Sequence, residues 1–186
     1  MSAAGRDPVP GTEVEQAARE QLRRDAVRYL RVRERTAQEV RRHLQRRGHA
    51  AQAVAAAVEE LLERGYIDDR RFAELYLRDR RRLRPMSARA ALAALQAKGI
   101  ARATAQAALE ASDPPWDDAA LARAALERRW SRWAPAQRAR RGARFLQARG
   151  FAFATVRAVL AELGADGGGA GEASAYGFEE QPDDSE

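Results

Sequence analysis

The run Leu-Gln-x-Arg/Lys-Gly occurs three times at a fixed interval of 51 residues: Leu44-Gln45-Arg46-Arg47-Gly48, Leu95-Gln96-Ala97-Lys98-Gly99 and Leu146-Gln147-Ala148-Arg149-Gly150. A fixed period of this length marks a chain of stacked supersecondary units. Such units bury their apolar faces against one another and work through extended surfaces, not through a catalytic pocket. Sustained period-2 alternation and β-branched enrichment are absent, so the units are helical. The expected fold class is all-α, with three tandem three-helix repeats forming an elongated, curved array. A helix of about 12 residues is roughly 18 Å long, so three such units make a rod.

The first unit, residues 14–65, reads as three helices. The first runs from Val14 to Arg33, with Leu22, Ala26, Tyr29 and Leu30 on one stripe. The second starts at Thr36, which with Glu39 has the spacing of a capping box. Gly48 ends it, where a left-handed residue is wanted. The third carries Val54, Val58, Leu61 and Leu62 inward and stops at Gly65. The second unit, residues 66–115, copies the scheme: Asp68 or Asp69 caps its first helix, Ser87 stands at the Thr36 position, Leu92 and Leu95 face inward, and Leu109 takes the place of Val58. In the third unit, residues 116–164, Asp117 or Asp118 opens the first helix and Pro135 suits the first turn of the second. Trp130 and Trp133 with Phe151 and Phe153 supply bulk, while Arg138 replaces the hydroxyl cap. Residues 1–13 are expected to be disordered, and residues 165–186 to form an acidic, Gly-rich flexible tail.

Net charge is +6, but the tail (166–186) carries seven acids and no Arg or Lys. Setting aside its −7 and the −1 of residues 1–14 leaves residues 15–165 at +14. A basic body of this kind suits an anionic partner such as nucleic acid. Lys98 is the single lysine; the other cations are arginine. The densest run is Arg78-Asp79-Arg80-Arg81-Arg82-Leu83-Arg84, at a helix end. Cations there suit the helix dipole, yet five arginines in seven residues exceed what the dipole needs. With Arg70, Arg71, Arg89 and Lys98 they are expected to form a basic ridge that meets a partner. The acidic tail is a candidate competitor for that ridge.

Enzymatic chemistry is poorly supported. Only His43 and His49 offer imidazoles, without metal-ligand spacing, and both read as surface helix residues. The absence of cysteine excludes thiol nucleophiles, disulfides and cysteine-held metals. The Gly167–Gly169 run lacks the Lys-Ser/Thr and preceding strand of a phosphate loop. No cofactor is expected. With no signal peptide and no membrane-length apolar run, a soluble cytoplasmic monomer is expected.

The stretch Gly65-Tyr66-Ile67-Asp68-Asp69-Arg70-Arg71-Phe72-Ala73, the arginine-rich helix end and Lys98-Gly99-Ile100 together resemble the RecX family of bacterial RecA regulators. The resemblance spans residues 20–163, since that family is also built of three tandem three-helix repeats. It departs at Arg84-Pro85-Met86, where the family usually carries a glycine, and at Ala91 and Ala94, where larger residues are usual. It implies a non-enzymatic protein that binds the groove of the RecA–DNA filament. Such a protein restrains ATP hydrolysis, strand exchange and filament growth, and so acts in DNA repair, homologous recombination and the SOS response. Within the matching motifs, Gly65, Tyr66, Asp68, Asp69, Phe72, Ala73, Gly99 and Ile100 read as architectural, with Tyr66 and Phe72 packing between repeats. Two other readings remain open from the residues alone. One is an independent DNA-binding regulator, since helix pairs with Gly turns resemble helix-turn-helix units. The other is a helical adaptor for an unknown partner.

Overall fold

The computed structural model of the chain describes residues 13–166. The expected disordered start and acidic tail lie outside the described residues, apart from residues 13, 165 and 166, which are helical. Nine helices and no strand occur among the described residues: α1 (Glu13–Leu30), α2 (Ala37–Arg46), α3 (Ala51–Glu63), α4 (Asp69–Leu83), α5 (Ala88–Ala97), α6 (Arg102–Glu110), α7 (Asp118–Trp130), α8 (Pro135–Gln147) and α9 (Phe153–Asp166). They pack as two compact units, residues 13–80 with 91–116, and residues 81–90 with 117–166.

The repeated five-residue run has one structural meaning at all three places. Gly48, Gly99 and Gly150 have φ of 88°, 87° and 80°, a left-handed conformation that costs a side chain but not glycine. Each glycine N–H donates to the carbonyl of the run's Gln, and the next residue's N–H donates to that of its Leu. This is the paired hydrogen bonding that closes a helix by reversing the chain. The Leu side chain is fully buried each time. The residue after glycine is buried as well in two of the three cases, as Ile100 and Phe151.

In the first unit, α1 packs on α2 and α3, closing a core of Leu22, Ala26, Val40, Leu44, Val54, Val58 and Ile67. Leu61 and Leu62 are half-buried against it. Phe72, Ala73, Leu77, Ala91, Leu95 and Ile100 are buried further along the same unit. Full burial of a Leu or Val side chain is worth about 1.5–3 kcal/mol, so a few such residues outweigh the many alanines. In α5, Ala91 is buried and Leu92 only half so; in α6, Ala105 and Ala108 are buried and Leu109 half-buried. Of the large residues expected inward in the second repeat, Leu95 is fully buried, while Leu92 and Leu109 yield the deepest positions to Ala91, Ala105 and Ala108.

In the second unit, α7, α8 and α9 pack on one another around Leu121, Leu126, Leu146, Phe151, Val156 and Val159. Gly142 lies against Leu126, Trp130 and Leu160, and an added Cβ would come within 2.8 Å of Leu160. Phe151 is buried, but Phe153 is 54% exposed, and Trp130 and Trp133 are half-buried.

The capping scheme corrects the sequence reading. Asp68 caps its own helix by accepting the N–H of Arg71 at 2.9 Å. Asp69 instead accepts the N–H of Ala37, the first residue of α2, at 2.9 Å. Thr36 accepts the N–H of Glu39 at 3.0 Å and donates its hydroxyl to the carbonyl of Lys98 at 2.7 Å. The start of α2 is therefore held by the end of α5 and the start of α4. The Glu39 carboxylate does not complete a capping box; it turns to Lys98 and Arg33.

The second unit repeats the joint. Asp117 caps α7 through Ala119 and Ala120. Asp118 accepts the N–H of Ala88 at 2.8 Å, Ser87 accepts that of Ala90 at 3.1 Å, and the Ser87 N–H donates to the carbonyl of Arg149. Thr36 and Ser87 are completely or almost completely buried, which a hydroxyl tolerates only when bonded. Arg138, at the third such position, donates to the carbonyls of Trp130 and Trp133 and so closes the end of α7.

Candidate protein and nucleic-acid interface

The nine cations singled out from the sequence fall into different settings. In the first unit, exposed Arg70 pairs with Glu74 one turn on, at 3.0 Å. Arg71 grips Glu34 with two nitrogens, at 3.1 and 3.2 Å, and lies 3.9 Å from Asp68. The Glu34 carboxylate raises the Arg71 pKa above the ordinary arginine value. Arg80 stacks over Tyr76, 4.7 Å from the ring centre, and Tyr76 stacks in turn on Phe72. Lys98 is half-buried, 3.2 Å from Glu39 and 5.7 Å from the Phe72 ring centre. Burial raises the Glu39 carboxyl, but Lys98 and Arg33 outweigh it and hold the pKa below the usual value. Arg78 is exposed with no partner among the described residues.

In the second unit, Arg81 is half-buried, while Arg82, Arg84 and Arg89 are exposed. The Arg82 carbonyl accepts a hydrogen bond from Arg128 at 3.3 Å. Arg70, Arg71 and Lys98 are thus committed to carboxylates within the fold, whereas Arg78, Arg82, Arg84 and Arg89 offer their side chains to solvent.

The family-motif residues divide too. Phe72, Ala73 and Ile100 are buried, and Asp68 and Asp69 cap two different helices. Gly65 has φ of 70° and ends α3. Tyr66, expected to pack between repeats, is 62% exposed, because its neighbour Ile67 occupies the buried position at 1% exposure. Tyr66 is therefore available to a partner, which its place beside buried motif residues concealed.

Neither histidine is a free surface base. His43 stacks flat on Tyr29, with centroids 3.9 Å apart. Burial, followed by Arg46 and Arg47, pushes its pKa below the ordinary value. His49 lies 3.0 Å from Asp25, which also accepts from Arg47 at 2.9 Å. Asp25 is 3% exposed. Its hydrogen bond to His49 outweighs the opposing effect of burial, and with Arg47 and Gln21 it holds the pKa down to about 2.

One cationic site escaped the sequence reading. In the second unit, Arg128, Arg129, Arg132 and Arg149 line an open cleft of about 270 Å³, with Leu83, Pro85, Ala125 and Phe145 as its apolar wall. The contributing residues come from α4, α7 and α8 and their flanking loops, so no local motif announces it. No His/Cys/Asp/Glu cluster fit to hold a metal occurs among the described residues. No helix there is long and apolar enough to cross a membrane.

Fold and surface define an all-helical repeat protein that carries exposed arginines. Family models for the first and second three-helix domains of RecX match residues 23–61 and 68–109. The chain is 38% identical over 139 residues to the regulatory protein RecX of Chromohalobacter salexigens, covering 75% of this chain and 90% of that one. It is 40% identical over 150 residues to the regulatory protein RecX of Halorhodospira halophila, covering 81% and 92%. The crystal structure of RecX from Lactobacillus salivarius shares the fold, with a TM-score of 0.65 at 20% identity over 81% of this chain and 99% of that one. The chain belongs to the RecX family.

Proposed function

We propose that this chain is a non-enzymatic regulator that binds the RecA recombinase and its DNA filament. On this reading it restrains RecA ATP hydrolysis, strand exchange and filament growth, and so governs DNA repair and recombination. The observation that carries the reading is family membership over three quarters or more of the chain, shared with relatives named as regulatory proteins. The arrangement of cations supports it. Arg78, Arg82, Arg84 and Arg89 stand exposed, and guanidinium groups suit both carboxylates and phosphates. Residues 14–65, 66–115 and 116–164 would serve as successive contact modules of one cytoplasmic monomer, with phosphate contacts that are indifferent to sequence.

Filament growth tests this directly. RecA assembling on single-stranded DNA is followed by light scattering while the chain is added. Growth should slow and then stop as the chain is titrated. An unchanged growth curve at saturating chain would refute the reading.

A further inference from the structure

The 51-residue register exposes one cation that the fold does not neutralise. The basic residue before each repeated glycine is Arg47, Lys98 or Arg149. Arg47 pairs with buried Asp25 at 2.9 Å, and Lys98 pairs with Glu39 at 3.2 Å. Glu39 stands three residues after the cap Thr36; three residues after the cap Ser87 stands Ala90. Ser87 bonds the Ala90 N–H as Thr36 bonds that of Glu39. The hydroxyl cap and the Asp bond to the first turn are kept, and Ala90 stands where Glu39 supplied the carboxylate.

Arg149 has no ion pair among the described residues, and its Nε is buried without a hydrogen-bond partner. An unbonded buried donor on a charged group is costly, and the Arg149 side chain also lines the cleft. Its surroundings concentrate the charge. The Arg149 guanidinium lies 3.8 Å from the Phe145 ring centre, and that of Arg129 lies 5.0 Å from the same ring. Burial, then Arg84 and Arg129, lower the Arg149 pKa. Arg128 and Arg132 complete the cationic lining of the cleft, and no carboxylate contributes to it.

We propose that this cleft binds the phosphate backbone of a nucleic-acid strand, with Arg149 and Arg129 as its principal ligands. Planar guanidinium forks match phosphate oxygens two at a time. The cleft opens to solvent, and Arg128, Arg129 and Arg132 at its edge are exposed to an approaching strand. A strand carries one charge per nucleotide, so adjacent phosphates engage several arginines together. The Phe145 ring is taken up by guanidinium stacking, so binding reads the backbone and not the bases. The proposal deepens the nucleic-acid half of the proposed function and requires no RecA contact.

The test uses the full chain, a fluorescein-labelled single-stranded oligonucleotide and anisotropy titrations at several salt concentrations, without RecA. Ala90→Glu restores the missing carboxylate without removing an arginine. The double variant Arg129→Gln, Arg132→Gln removes two exposed cations, and Arg19→Gln, Arg157→Gln removes two elsewhere. Circular dichroism checks each fold. Ala90→Glu and the cleft double variant should each bind about tenfold more weakly, the double variant with a salt slope shallower by about one to two phosphate contacts. The control pair should stay close to wild type. If Ala90→Glu fails to fold, the double variant decides. Wild-type affinity and slope in the double variant would overturn the site. So would displacement of the strand by an acidic peptide as readily as by unlabelled oligonucleotide. A wild-type chain that ignores the oligonucleotide also overturns it, and leaves the filament-growth assay to judge the regulatory reading separately.

Discussion

The Asp69 carboxylate accepts the backbone N–H of Ala37, 32 residues earlier, at 2.9 Å. Asp118 does the same for Ala88 at 2.8 Å. The second Asp of each Asp-Asp pair therefore caps the middle helix of the preceding repeat, while the first caps its own helix. This ties the start of the middle helix of one repeat to the start of the first helix of the next through one carboxylate oxygen.

Replacing Asp69 by Ala should strip an acceptor from the first turn of α2 and cost about 1–2 kcal/mol, the usual loss for a helix cap. Asp69→Asn keeps an acceptor oxygen and should cost less. Burial raises the Asp69 carboxyl, and the Ala37 N–H only partly counters it. The folded chain thus holds that proton more tightly than the unfolded one, and stability from this group falls as pH rises through the raised value. Urea unfolding of the two variants at neutral pH measures the difference.

Gly48, Gly99 and Gly150 close equivalent helices but should not respond alike to Ala. At Gly48 an added Cβ meets nothing within 4 Å, so the left-handed backbone sets the cost at about 1–2 kcal/mol. At Gly99 it would fall 2.2 Å from Gln38 Cβ, and at Gly150 2.8 Å from Ala90 Cβ. Overpacking adds about 1–3 kcal/mol there. Denaturation midpoints should rank G48A above both joint variants.

The period, the glycine stops and the hydroxyl caps Thr36 and Ser87 were legible in the sequence because each leaves a local residue signature. The division of labour between Asp68 and Asp69 was not. Both suit a helix start, and a partner 32 residues away leaves no mark nearby. Lys98 read as part of a surface ridge, since its partner Glu39 sits in another repeat. Tyr66 read as buried because motif aromatics usually are, yet Ile67 holds that position. The arginine cleft needed elements from three helices to converge. Its one sequence trace is an absence, Ala90 where the register offers Glu39.

Asp25 should govern the acid limb of stability. Its pKa is held down to about 2, from an ordinary 3.8, chiefly by the hydrogen bond from His49. A carboxylate depressed in the fold stabilises above its unfolded value, and that contribution is lost as pH falls through the folded one. The stability gap between the wild type and Asp25→Asn should therefore be widest above about pH 4 and close as pH approaches about 2, followed by urea midpoints across that range.

Arg71 and Arg78 should separate stability from partner binding. Arg71 is gripped by Glu34, but both side chains are about 40% exposed. Arg71→Ala should then cost no more than about 1 kcal/mol of stability. Arg78→Ala should leave stability within about 0.5 kcal/mol and weaken attachment to RecA–DNA filaments. Chemical denaturation and filament co-sedimentation on the same two proteins check both halves.

The proposed regulation of RecA can be read from RecA's own turnover. The most direct measurement is the ATPase rate of RecA on single-stranded DNA as the purified chain is titrated in. The rate should fall progressively to a low plateau, with Arg78→Ala requiring more protein to reach it. A rate that stays unchanged at saturating chain would contradict that regulation.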